Sequence, residues 1–166
     1  QITDFDEYVR YLQNFPGEVS ALHRELLIGV TSFFRDPEAM QELQDKVLPE
    51  LCENAKGREL RCWISGCSSG EEAFTLAIMF KEAMEKMGSS QDVKIFATDV
   101  DREATLKAST GIYPESIAAD LSPRILGKYF YHIDEAYKVT RNVREMVVFA
   151  QHNLIKDPPF TNIDLI

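Results

Sequence analysis

Apolar residues recur with a helical period at the start of the chain. Phe5, Tyr8, Val9 and Leu12 fall on one face, and Thr3 followed by Asp6 has the form of a capping box. Asn14-Phe15-Pro16-Gly17 breaks that pattern, after which Val19, Leu22, Leu26 and Leu27 mark a second helix running toward Gly29. Asp36 is placed to cap a third helix, Pro37 suits its first position, and Met40, Leu43, Val47 and Leu51 form its stripe. The stripe fades at Asn54-Ala55-Lys56-Gly57. That stretch reads as a linker between a helical subdomain, 1–57, and a second domain, 58–166.

Beyond Gly57 the period changes. Leu60–Ser65 is a short apolar run ending before Gly66 and predicts a buried strand. Gly70 opens a long helix with Ala73, Leu76, Ala77, Phe80, Met84 and Met87 on its apolar face, stopping near Gly88. Val93–Thr98 predicts a second strand and Asp101–Ser109 a second helix. Strand, helix, strand, helix is the signature of a parallel sheet, so the fold class is α/β. Further on, Ser122-Pro123 starts a helix running to about Tyr129. Tyr131–Asp134 and Tyr137–Thr140 predict a small hairpin, and Met146–Gln151 a third core strand. Ile163–Ile166 begins a fourth, whose unpaired apolar edge is expected to favour self-association.

Composition narrows the function classes. The chain of 166 residues carries 18 Lys+Arg against 27 Asp+Glu, a formal net charge of −9. With no basic cluster to neutralise phosphates, nucleic-acid binding is not expected. Uninterrupted apolar runs such as Leu76–Phe80 are far shorter than the roughly 20 residues of a membrane helix, and Asp4, Asp6 and Glu7 sit where a basic leader would. Cys52, Cys62 and Cys67 are odd in number, and His23, His132 and His152 are scattered. No metal site, and a reducing cytoplasmic setting, are expected.

Three segments carry candidate chemistry. In Ser65-Gly66-Cys67-Ser68-Ser69-Gly70-Glu71-Glu72, glycines permit a tight turn and close ligand approach between strand and helix. The two glutamates would repel a phosphate at that helix start, and they suit a ligand with a positive centre. The alternative is a plain turn whose acids favour the helix dipole. Asp99, ending the second strand, is placed to accept both hydroxyls of a ribose, unless it caps the following helix; Asp101 is the better placed cap. A nucleoside without phosphate is thereby favoured, and S-adenosylmethionine fits that description. In Thr31-Ser32-Phe33-Phe34-Arg35, two aromatics could pack a loop over a pocket while Arg35 reaches a carboxylate. Alternatively, the rings are core and Arg35 pairs with Asp36.

Together with Gly111-Ile112-Tyr113 and Gln151-His152-Asn153-Leu154, these segments occur in an order that resembles the chemotaxis receptor methyltransferases (CheR type). Such enzymes move a methyl group from S-adenosylmethionine to glutamate side chains of bacterial chemoreceptors. The resemblance implies a Rossmann-like class I methyltransferase sheet, incomplete at about four strands, preceded by a small all-helical subdomain. It implies S-adenosyl-L-methionine as cofactor, S-adenosyl-L-homocysteine as product, and the cytoplasmic domain of a chemoreceptor as partner. Position by position, it implies Thr31, Arg35, Gly66, Ser68, Gly70, Glu71, Asp99, Asn153 and Leu154 at the cofactor. Glu71 serves the methionyl end, Asp99 the ribose and Asn153-Leu154 the adenine border, with Arg35 nearest the transferred methyl and the incoming carboxylate.

Gly29 departs from the family's usual asparagine. The family's arginine-rich first helix is expected before Gln1. Its Cys-Arg-Asn segment, later strands and receptor-tethering β insertion are expected after Ile166, making this chain the middle of such an enzyme. A glutamate carboxylate is ionised at neutral pH, with a reference pKa of about 4.3, so transfer to it requires no general base. Alignment in a dry pocket is expected to supply most of the acceleration. The rival reading is an inactive S-adenosylmethionine-binding regulatory module of a larger signalling protein. A nicotinamide-dependent oxidoreductase would need a phosphate-tolerant loop, which Glu71 and Glu72 disfavour.

Overall fold

A computed structural model describes residues 4–26 and 29–166. Helices α1 (Phe5–Asn14) and α2 (Pro16–Leu26) follow one another across Phe15, and the Tyr8 hydroxyl donates to the Glu18 carboxylate at 3.0 Å. Proline is tolerated at the head of α2 because no intrahelical acceptor awaits its missing N–H there. Thr3 and Leu27, invoked for the capping box and the second stripe, lie outside the described residues. The residue at the α1 N-cap is Asp4, whose side chain makes no capping bond.

A longer helical run follows as α3 (Pro37–Glu42), a widened π turn (Leu43–Val47) and α4 (Leu48–Ala55). Pro49 accounts for the widening. It lacks the amide hydrogen that would bond the carbonyl four residues back, and its ring crowds that position. The predicted Asp36 cap is corrected: Asp36 sits in the left-handed region at φ 55°, and its side chain makes no capping bond. Lys56 and Gly57, at φ 49° and 84°, end the run.

Strand β1 (Leu60–Ser65), helix α5 (Glu71–Met87), strand β2 (Val93–Asp99) and helix α6 (Arg102–Thr110) then alternate as the pattern predicts. Between α6 and the last core strand lies a second, antiparallel sheet. It consists of β3 (Ile112–Pro114), β4 (Phe130–Ile133) and β5 (Ala136–Val139) in the order β3-β5-β4, with α7 (Pro123–Tyr129) leading into β4. The expected hairpin is β4–β5. Strand β3 was not anticipated, being too short for a period-two pattern. This antiparallel sheet stands as an insertion between α6 and the last strand of the parallel sheet.

The short helix α8 (Arg141–Arg144) leads into β6 (Val147–Gln151), which completes a parallel sheet in the order β1-β2-β6. Register pairs Ile64 with Ala97 and Asp99 with Gln151, so the strands' carboxyl ends lie side by side. The predicted fourth strand begins as one parallel bridge from Cys62 to Leu165 on the outer edge of β1. There the Trp63 amide donates to the Leu165 carbonyl at 2.9 Å. Asp164 takes both Arg58 guanidinium nitrogens, at 3.0 and 2.6 Å, and the Arg61 amide at 2.9 Å.

Leu60, Cys62, Phe74, Ile78, Phe80, Ile95 and Ala97 are fully enclosed between sheet and helices. Each large side chain of that set contributes roughly 1.5–3 kcal/mol by leaving water. The link between β6 and Leu165 crosses the sheet without a helix. Its Phe160 ring stacks on Phe96 at 5.0 Å and meets Trp63 edge-on at 5.2 Å.

Candidate functional site

The turn from β1 to α5 is held from below by β2. Gly66 and Cys67 amides both donate to the Thr98 carbonyl, at 2.7 and 2.9 Å, and the Ser68 amide donates to Asp99 Oδ2 at 2.8 Å. Gly66, Ser68 and Gly70 all have positive φ, at 73°, 46° and 90°. For Ser68 that conformation costs about 1–2 kcal/mol and requires a surround that dictates it. Gly70 answers a second demand. A Cβ there would stand 2.9 Å from both Ala108 of α6 and Phe149 of β6.

Asp101 caps α6, its Oδ1 accepting from the Glu103 and Ala104 amides at 2.8 and 3.2 Å. Asp99 is consequently not a cap, but neither is it idle. Its Oδ1 accepts the Asp101 amide at 2.9 Å while Oδ2 holds Ser68, so the carboxylate is locked by two loops. A carboxylate has about four lone-pair positions, which leaves each oxygen room for one further donor.

On the other side stands the segment from Gly29 to Arg35. Phe33 is buried against Tyr113 at 4.9 Å and Phe130 at 5.3 Å, and the Phe34 amide donates to Thr75 Oγ1 on α5 at 3.1 Å. Phe34 itself adopts φ 51°, so the segment is pinned in a left-handed kink. Arg35 is exposed and its Nη1 donates to the Val30 carbonyl at 2.8 Å.

These walls enclose a cavity of about 280 Å³ lined by Gly29, Val30, Thr31, Arg35, Gly66, Ser68, Glu72, Asp99, Asp101 and Ala104. The structure thus brings Thr31, Arg35, Gly66, Ser68 and Asp99 around one space. It does not bring Gly70, Glu71, Asn153 or Leu154 to that lining. Both Glu71 carboxylate oxygens take the Ser69 hydroxyl, at 2.9 and 2.7 Å. Asn153 Oδ1 accepts the Ile155 and Lys156 amides in a local turn, and Leu154 is 62% exposed.

Glu72 faces the cavity in place of Glu71. Its signal in the sequence is helical phase: Glu72 lies one turn before Leu76, and both border a second, apolar cleft of about 350 Å³ with Trp63, Ile64 and Leu165.

Among the described residues, Arg35 alone opposes Glu72, Asp99 and Asp101 on the lining, so the cavity favours a positive or hydroxyl-rich ligand over an anion. Thr31 Oγ1 is buried and has no hydrogen-bond partner among the described residues. Gly29 is tightly set; a Cβ on it would meet Ser68 Oγ at 2.9 Å. Cys67 is buried and burial pushes its thiol up to about 12, which removes it as a nucleophile at neutral pH. Among the described residues no cluster of three or more His, Cys, Asp or Glu could hold a metal, and no helix is long and apolar enough to cross a membrane.

The family described as "CheR methyltransferase, SAM binding domain" matches residues 29–166. A chemotaxis protein methyltransferase of Borreliella burgdorferi is 35% identical over 171 residues, covering 98% of this chain and 60% of its own length. An uncharacterized 104.1 kDa protein of Rhodobacter capsulatus is 44% identical over 167 residues, covering all of this chain but 18% of itself. A probable biofilm formation methyltransferase of Pseudomonas aeruginosa is 31% identical over 156 residues, 93% of this chain and 36% of that protein. The chain therefore spans at most about three fifths of the length of these relatives.

Proposed function

Since the chain belongs to the CheR methyltransferase family and carries its S-adenosylmethionine-binding domain, we propose that it binds S-adenosylmethionine in the cavity between Thr31 and Asp99 and serves methyl transfer to glutamate carboxylates of bacterial chemoreceptors. The observation that carries this reading is the pairing of a buried Thr31 hydroxyl, without a partner among the described residues, with a doubly anchored Asp99 across one acidic cavity. The residues present suit the cofactor. Asp99 has lone pairs left for two ribose hydroxyls, Thr31 Oγ1 offers a hydrogen bond, and Glu72 gives a negative wall facing a cationic centre. Asn153 and Leu154, directly beyond β6 and beside the His152 amide that bonds the Asp99 carbonyl at 2.8 Å, are assigned to the adenine border.

Once bound, the cofactor supplies an electrophilic methyl group on a sulfonium. Arg35, exposed and on the cavity lining, orients the incoming carboxylate with its forked donors in this reading. The target carboxylate is already ionised at neutral pH, so the protein supplies alignment and exclusion of water rather than a base. The partner in this reading is the cytoplasmic domain of a chemoreceptor, and the setting is the cytoplasm. Calorimetric titration with S-adenosylhomocysteine is the direct test, with saturable heat expected. Absence of heat from folded protein would remove the cofactor assignment. Arg35→Ala in the full-length enzyme should cut turnover on receptor at least tenfold, and normal turnover would make Arg35 a loop-holding residue only.

A second reading is a regulatory module that binds the cofactor without transferring its methyl. It draws on the 104.1 kDa relative, of which the match is 18%. Binding without transfer to receptor glutamates would select it.

A further inference from the structure

Tyr113 stands where three parts of the molecule meet, yet it does not line the cavity. It is the middle residue of β3, paired with Tyr137 of β5, and is 4% exposed. Its hydroxyl leaves the inserted sheet and donates to the Ser69 carbonyl in the glycine turn at 2.8 Å. Its ring meets Phe33 edge-on at 4.9 Å and Phe74 of α5 at 6.2 Å. Phe33 lies two residues from both Thr31 and Arg35. One side chain thus touches the inserted sheet, the glycine turn and the opposite cavity wall.

We propose that Tyr113 is a positioning residue for the cofactor cavity: its hydroxyl fixes the Ser69 carbonyl so that the neighbouring Ser68 amide stays on Asp99, and its ring holds the Thr31–Arg35 wall in place. The physical need is local. Ser68 is an L-residue in the left-handed region, and such a residue drifts toward ordinary conformations unless its neighbours are held. The peptide unit joining Ser69 to Gly70 has two anchors: the Gly70 amide on the Cys67 carbonyl at 2.8 Å and the Tyr113 hydroxyl on the Ser69 carbonyl. Removing the hydroxyl leaves that unit on the Gly70 anchor alone, so the carbonyl side of the turn, and Ser68 before it, is held less tightly. Because the inserted sheet, the glycine turn and the Thr31–Arg35 wall meet at this one side chain, the inserted sheet and the cavity are coupled in this reading, and such coupling runs equally in both directions. A ligand ordering the cavity must order β3, and a partner that grips the inserted sheet must change cofactor affinity. The inference rests on the cofactor reading for its ligand, while the anchoring of the turn stands apart from it.

The test is Tyr113→Phe, which keeps the ring and deletes one oxygen. In ligand-free protein, amide exchange at Ser68–Gly70 should accelerate while β1 amides keep their wild-type rates. S-adenosylhomocysteine should bind roughly threefold to tenfold more weakly, the loss expected of one neutral hydrogen bond. In the full-length enzyme the change should appear in KM for S-adenosylmethionine and not in kcat, a split that general destabilisation would not produce. Unchanged exchange in the turn overturns the proposal whatever the ligand does. Failure of wild-type protein to bind S-adenosylhomocysteine overturns the cofactor reading, and turn exchange still decides the role of Tyr113. Should the variant not fold, exchange of wild-type 111–114 with and without S-adenosylhomocysteine takes over; protection supports the coupling, and no protection overturns it.

Discussion

Helices α1 and α5 announce themselves in the sequence by the same spacing of apolar residues, and they end in opposite circumstances. Helix α5 is enclosed along most of its length, with Phe74, Ile78 and Phe80 fully buried. Helix α1 has no buried residue, and Phe5 is 77% exposed. Its ring contacts run along itself and onto Phe15, with Tyr8 and Tyr11 6.5 Å apart and Tyr11 and Phe15 4.4 Å apart. Periodicity therefore reports that one face is apolar. It does not report what covers that face. For α5 the cover comes from several elements at once, α4, α8, β2 and β6 among them, which converge on it only in the folded chain.

Four measurements sharpen that contrast. Phe74→Ala should cost about 3–5 kcal/mol in denaturant unfolding, since the ring is enclosed and touches Tyr113 and Phe149. A loss under about 1 kcal/mol would show that α5 is less essential to the core than its burial implies. Asp99→Ala, at the site that α5 and β2 share, should weaken S-adenosylhomocysteine binding about tenfold or more by calorimetry, as hydrogen bonds to a charged acceptor disappear. Unchanged affinity would take the ribose away from Asp99.

The third measurement concerns how α5 is tied to α7. Burial pushes the Glu82 carboxyl up, but hydrogen bonds from Lys128, Tyr129 and Arg124 outweigh it and hold the group at about 2. A depressed carboxyl contributes stability above its unfolded pKa of about 4.3 and loses it as pH falls toward 2. Glu82→Gln should therefore flatten the acid limb of the stability curve between about pH 4.5 and 2. An identical acid limb in the variant would show the network to be inert. Smallest of all, Phe5→Ala should change global stability by no more than about 0.5 kcal/mol. A larger loss would mean that α1 contributes to the same cooperative unit as α5.

Legibility followed the same division. Strand β1, helix α5 and the Asp101 cap were readable because each is set by neighbours in sequence: an apolar run closed by Gly66, a stripe between Gly70 and Gly88, an acid two and three residues from the amides it receives. The gathering of Thr31, Arg35, Ser68 and Asp99 was indicated by strand ends and by family resemblance, and their enclosure of a cavity is a tertiary fact. The choice between Glu71 and Glu72 was not settled by composition. Successive helical residues point about 100° apart, and the deciding information is the phase shared with Leu76. The Ser68 amide on Asp99 was unreadable for a different reason, since it depends on a left-handed Ser68 that no residue preference would suggest. The π turn ahead of Pro49 lies outside the reading of that stretch as one continuous stripe from Met40 to Leu51, because the stripe records the apolar face and not the amide that Pro49 lacks.

The crossing from β6 to Leu165 has a mechanical corollary. Where many α/β proteins lay a helix across the sheet, with a dozen side chains sharing the duty, this link leans on Phe160 as a rivet between Trp63, Phe96 and His152. A rivet fails all at once. Prising that ring loose would bare Trp63 and Phe96 together, so this flank of the barrel-less sheet should open as a single event instead of fraying residue by residue.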